Sequence, residues 1–125
     1  MYVYNAECVR VVDGDTIDAL VDLGFSIFRK VRVRLNGMNA PESRTRDLEE
    51  KKLGLAAKAR LKEILEMNDN KFVLKVDGIG KYGRALGVLL VEKVGTNADI
   101  SPTQTNVNQL LIKEGHATEY HGGAR

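Results

Sequence analysis

A chain of 125 residues, 43% of them apolar, can bury one core and is too short to divide into two, so a single domain over 1–125 is expected. Cys8 is the only cysteine, which excludes an intrachain disulfide and a thiolate zinc site. Nineteen basic against seventeen acidic side chains leave +2 overall, with the excess in residues 41–84, where eleven bases meet eight acids. That excess hints at an anionic partner but is too small for a protein that holds DNA by charge alone. No apolar run approaches the ~18 residues that cross a bilayer, and Met1-Tyr2-Val3-Tyr4-Asn5 lacks a basic leader with an apolar stretch. The expectation is a soluble cytoplasmic chain with no membrane partner.

Residues 2–12 and 15–22 read as β segments, with Asp13-Gly14 between them as a hairpin signal. Gly24-Phe25-Ser26 turns the chain again. Residues 28–35 then alternate, with Val31, Val33 and Leu35 on one face and Lys30, Arg32 and Arg34 on the other. Gly37 and Pro41 close this strand and open a charged surface loop, Glu42 to Lys52. From Gly54 the period becomes helical, with Leu55, Ala59, Leu61, Ile64 and Leu65 as the expected apolar side. Residues 71–76 are strand-like, 77–83 a glycine-rich connection, 85–91 an apolar strand and 97–105 a polar loop. A short helix, Val107 to Glu114, stops at Gly115. Three strands before a helix and two after it predict a mainly β, α+β fold: a five-stranded OB-like barrel with one covering helix and a short C-terminal helix.

Four stretches carry residues that a packed core would not choose: Asp13-Gly14-Asp15-Thr16, Arg34-Leu35-Asn36-Gly37-Met38-Asn39-Ala40-Pro41-Glu42, Lys81-Tyr82-Gly83-Arg84, and Val107-Asn108-Gln109-Leu110-Leu111 to Gly115. Each has an ordinary reading alone. Asp-Gly-Asp is a common turn, Arg34 and Arg84 would be solvated strand residues, and Glu42 a solvated loop acid. Each also suits phosphate chemistry. Asp13 and Asp15 form a hard-oxygen pair for Ca2+ or Mg2+. A guanidinium fork holds two phosphate oxygens and keeps its charge, and a carboxylate after a proline is held at a defined place. Taken together, in this order and spacing, the four stretches resemble the staphylococcal nuclease (thermonuclease) family from about Ala6 to Tyr120.

The resemblance implies an SNase-like domain that hydrolyses phosphodiester bonds in DNA or RNA with little sequence preference, on single-stranded or frayed substrate, leaving 3′-phosphate ends. It implies catalytic roles for Arg34 and Arg84 on the scissile phosphate and for Glu42 as general base or orienter of the attacking water. It places Ca2+, or Mg2+, on Asp15, Asn39 and Ala40 with Asp13 near, and nucleotide contacts on Lys81, Tyr82 and Tyr120. The family carries an aspartate where this chain has Asn39, so one ligand charge is lost and a weaker metal site with slower hydrolysis is expected. The second reading is a catalytically weak or inactive nucleic-acid-binding or interaction module on the same barrel. Retention of Glu42, Arg34 and Arg84 argues against it, and Asn39 argues for it. The sequence ends without the C-terminal helix many family members place beneath the barrel, so lower stability or a second subunit over that surface is expected; the expected state is a monomer or weak oligomer. Cytoplasmic Ca2+ is scarce, which leaves Mg2+, release on lysis, or a phage- or plasmid-encoded protein as ways to reconcile metal and location. His116 and His121 read as surface residues and Cys8 as an inert small hydrophobe.

Overall fold

The computed structural model describes residues 2–80, 83–94 and 104–120. Its elements run β1 (Tyr2–Asp13), β2 (Thr16–Asp22), β3 (Phe28–Leu35), β4 (Met38–Asn39), α1 (Leu48–Met67), β5 (Lys71–Ile79), β6 (Ala85–Val91), β7 (Thr105–Asn106), α2 (Val107–Lys113) and β8 (Thr118–Glu119). Antiparallel pairing in the order β3-β2-β1-β5-β6 is closed by a parallel pairing of β3 with β6, Val33 to Ala85 through Leu35 to Gly87. The closed five-stranded OB-like barrel is therefore present. Inward residues of every strand, Ile17, Ala19, Val33, Leu35, Leu74 and Leu89 among them, meet Leu61, Ile64 and Leu65 of α1 in one core. Among the described residues no helix is long and apolar enough to cross a membrane.

The loop expected over Glu42 to Lys52 is shorter, because α1 starts at Leu48. The Asp47 carboxylate accepts from the backbone N–H groups of Glu49 and Glu50, and those two acids sit in the first turn, where the helix dipole favours them. Leu48 and Leu53 are exposed, so this turn carries no apolar period to announce it. The buried side of α1 is also not the expected one. Leu55 and Ala59 face solvent, and Gly54, Ala57, Leu61, Ile64 and Leu65 face the barrel. Small residues at 54 and 57 let the helix approach backbone more closely than a leucine would. The glycine-rich connection shortens as well, since β5 continues through Ile79 against Ala85. Thr105, expected in a loop, pairs with Val91. The remainder of the expected polar loop at 97–103, and His121, lie outside the described residues. Cys8 is half-buried in β1, and burial pushes its thiol up to about 11, consistent with an inert side chain.

Asn108 ties α2 to the seam that closes the barrel. The residue is 1% exposed. Its amide nitrogen donates to the carbonyls of Asn36 (2.8 Å) and Gly87 (3.0 Å), and its oxygen accepts from the Leu89 N–H (3.2 Å). Replacing it by alanine orphans a buried N–H beside the β3–β6 junction. Asn108→Ala is expected to cost about 2–3 kcal/mol, seen as a fall in thermal midpoint of roughly 10 °C by circular dichroism. On the opposite side Arg60 of α1 bonds Glu114 through two nitrogens (2.7 and 2.8 Å) and the Val94 carbonyl (3.0 Å), joining the two helices. The Arg60 guanidinium holds the Glu114 carboxyl below the usual carboxylate range.

Candidate active site

The turn between β1 and β2 sets the site. Asp13 pairs with Thr16, leaving Gly14 and Asp15 as the two turn residues. Gly14 does not have a positive φ; its requirement is space, because a Cβ there would stand 2.7 Å from the Ala57 Cβ and 3.1 Å from the Ala40 Cβ. The turn, α1 and the loop after β4 thus meet at one glycine.

Both carboxylates of the turn reach that loop, at different points. Asp15, 8% exposed, accepts from the Ala40 N–H through Oδ2 (3.0 Å) and from the Thr16 hydroxyl through Oδ1 (2.9 Å). Asp13 accepts through Oδ1 from the hydroxyl and the N–H of buried Ser43. The two struts bracket Pro41-Glu42. From outside, the loop rests on Gly54 of α1, where an added Cβ would stand 2.3 Å from the Glu42 carbonyl oxygen. The Glu42 backbone is therefore fixed on both sides, and its exposed side chain lines the cleft.

Arg34 leaves the outer face of β3 and turns into the same region, 15% exposed at its side chain. Nη1 donates to the carbonyls of Leu35 and Met38, both at 2.9 Å, and Nη2 donates to Asn39 Oδ1 at 3.1 Å and lies 3.6 Å from Asp15 Oδ2. Arg34 is thus a clamped cation at the floor of the cleft and not the solvated strand residue that its alternation alone would make it. β8 pairs with β4 and brings the Tyr120 ring to 6.0 Å from the Arg34 guanidinium carbon, within cation–π range. The parallel register opposite Arg34 is Leu86, so half-buried Arg84, two residues earlier, enters the cleft from the adjoining strand. Gly83 stands at φ +72 beside Arg84, whose carbonyl accepts from the Gly80 N–H (2.7 Å).

Asp13, Asp15, Arg34, Asn39, Ala40, Glu42, Arg84 and Tyr120 thus line one open cleft of about 1400 Å³. Lys81 and Tyr82 lie outside the described residues. His116, expected at the surface, lies on the cleft wall. Ser43 and Gly54 escape sequence reading: a serine in a charged loop and a glycine inside a helical period carry no signal until the loop and helix are seen in contact.

Asp15 Oδ2 and Asn39 Oδ1 both border one nitrogen of Arg34, so these oxygens face a common point and the guanidinium stands at it. Among the described residues no three His, Cys, Asp or Glu side chains group as a metal site. The Asp15 carboxylate and the Asn39 amide offer oxygen donors of the kind a hard dication takes, with one formal charge between them.

A closed OB-like barrel with acids and guanidinium groups gathered in one outer cleft is the class of molecule defined here. Residues 32–124 match the model of the family described as staphylococcal nuclease homologue, and the chain belongs to that family. It is 32% identical over 119 residues to a micrococcal nuclease of Shigella flexneri, covering 94% of this chain and 59% of that protein. It is 37% identical over 122 residues to Protein ParB of Escherichia coli, covering 96% and 60%. The chain spans less than two thirds of the length of these curated relatives.

Proposed function

We propose that the chain is a metal-dependent nuclease that hydrolyses phosphodiester bonds of DNA or RNA with low sequence specificity. The observation that carries this reading is the convergence of Arg34, Arg84 and Glu42 on the cleft that also holds Asp15 and Asn39. Binding alone gains nothing from a carboxylate beside a phosphate, whereas hydrolysis needs one near the attacking water. Arg34 and Arg84 bind the scissile phosphate and offset the charge that grows on its oxygens as the fifth bond forms. Glu42 takes the proton of the attacking water as its oxygen bonds to phosphorus, the bond from phosphorus to the 5′-oxygen breaks, and that oxygen leaves with a proton from solvent. A Ca2+ or Mg2+ ion held by Asp15, Asn39 and the Ala40 carbonyl supplies Lewis-acid polarisation of a phosphate oxygen when bound. Asp13 acts through Ser43 as a strut for the loop that carries Glu42. Tyr120 flanks Arg34 and offers a face for a base, and Lys81 and Tyr82 keep the nucleotide-contact roles that the family resemblance implies.

Digestion of plasmid and single-stranded DNA with Ca2+, Mg2+ or chelator tests this reading. Cleavage that chelator stops is the expected result; tight binding without cleavage under either metal overturns it. That second outcome is the mark of a non-catalytic binding module, which the Arg34 bond to Asn39 favours, since a guanidinium already engages one of the metal oxygens. The chain with Asn39→Asp regains a carboxylate there and is expected to reach half-maximal cleavage at roughly tenfold lower metal, about the value of one added charge-assisted ligand. A metal titration of the cleavage rate reads it.

A further inference from the structure

We infer that the outer edge of β3 is a track for single-stranded nucleic acid, running from the cleft to an aromatic-tipped hairpin at the far end of the strand; this deepens the nuclease reading and rests on it. β3 shows Arg34, Arg32, Lys30 and Phe28 on one face, every second residue, at spacings of roughly 6.6 Å. Among the described residues, Phe28 to Arg32 of this strand pair with β2 alone, because the parallel pairing with β6 covers only Val33 to Leu35. Its edge is therefore open along the basic stretch. Lys30 is exposed, and Arg32, 48% exposed at its side chain, bonds Asp18 through Nε and Nη2. On this face β3 carries Lys30, Arg32 and Arg34 with no acid among them, while Glu7, Asp18 and Asp22 stand on β1 and β2 beside Arg10, so the bases of the face are densest along β3.

The far end supplies what a base would take. Phe28 is 55% exposed, and Phe25 is fully exposed on the β2–β3 turn. That turn is closed by a bond from the Ile27 N–H to the Gly24 carbonyl (3.0 Å), and it holds Phe25 at φ 56 and Ser26 at φ 61. Asparagine and glycine take this conformation cheaply and a bulky aromatic does not. The tip therefore carries a ring that neither burial nor turn chemistry asks for. Phe28 stands six strand positions from Arg34, roughly 20 Å, and Phe25 lies beyond it on the turn. OB-fold sites for single strands cover about 4–16 nucleotides by combining a basic groove with aromatic faces, and stacking tolerates any base. A cleft that grips the scissile phosphate at one end and an aromatic tip at the other fit such a polymer.

Cleavage of oligothymidylates of three and twelve nucleotides tests the track, because only the longer one reaches the tip. The native chain is expected to show a KM about tenfold lower for the 12-mer than for the trimer. That ratio should fall towards one in the Phe25→Ala/Phe28→Ala chain, whose melting temperature checks that the fold is kept. Lys30→Glu should raise the 12-mer KM about fivefold. Cleavage by the native chain with equal KM at both lengths overturns the track while leaving the nuclease reading standing, and neither binding nor cleavage of any oligonucleotide overturns both. Should the double variant lose co-sedimentation with phosphatidylserine vesicles while keeping the 12-mer KM, the tip is a lipid contact and the proposal fails.

Discussion

Glu42→Gln is expected to lower kcat about a thousandfold with little change in KM, the middle of the range for removing a general base. Glutamine has nearly the same shape and can still orient a water through its amide, but it cannot take the proton, so the loss reports proton transfer. The side chain is exposed, and its backbone is held by Gly54 and by the Ser43 bonds to Asp13 rather than by its own carboxylate. Thermal stability should therefore stay within about 0.5 kcal/mol of the native chain, as for other surface substitutions. Steady-state cleavage at saturating metal, beside a melting curve, gives both numbers. A loss below tenfold would move the base elsewhere, and a large loss of stability would make the kinetic result uninterpretable.

Gly54→Ala tests the clamp from the other side, with a sign opposite to the usual one. In an ordinary helix interior alanine is favoured over glycine by about 1 kcal/mol. Here the new methyl would stand 2.3 Å from the Glu42 carbonyl oxygen, 2.5 Å from its carbon and 2.7 Å from the Ser43 nitrogen. These are backbone atoms, tied on their far side to Asp13 and Asp15, and cannot swing away as a long side chain would. The expected result is a net loss of about 1–3 kcal/mol in stability. A shift of the Glu42 loop by about 1 Å would add roughly a hundredfold loss in kcat. Urea unfolding and cleavage assays on the same preparation measure them together. A Gly54→Ala chain as stable and active as the native one would show that the loop yields, and would remove the clamp as a positioning device.

The barrel was legible because its signals are local and repeated: an Asp-Gly turn, the Val31-Val33-Leu35 alternation, and a change of period ahead of residues 71–76. What escaped was decided by contact between segments. Leu55 and Ala59 fit a helical stripe as well as Gly54 and Ala57 do, and only the proximity of the Glu42 loop and the Asp13-Gly14-Asp15 turn selects the small residues for the buried side. Asp47 starts α1 through a capping bond in a stretch with no apolar period. At the site, the grouping of Arg34, Asn39, Ala40 and Glu42 followed from one motif. The involvement of Ser43 did not, because a serine hydroxyl can find partners almost anywhere on a surface.

The parallel seam between β3 and β6 sets a timetable for the growing chain. Asp15, Arg34 and Glu42 are all made before α1, yet Arg84 follows much later. Asn108, which fastens the seam from behind, emerges later still. Loop-closure entropy has to be overcome across about fifty intervening residues before the two walls can meet. An unfinished polypeptide thus owns half a cleft at most, and the assembled one is withheld until nearly the whole barrel has been made.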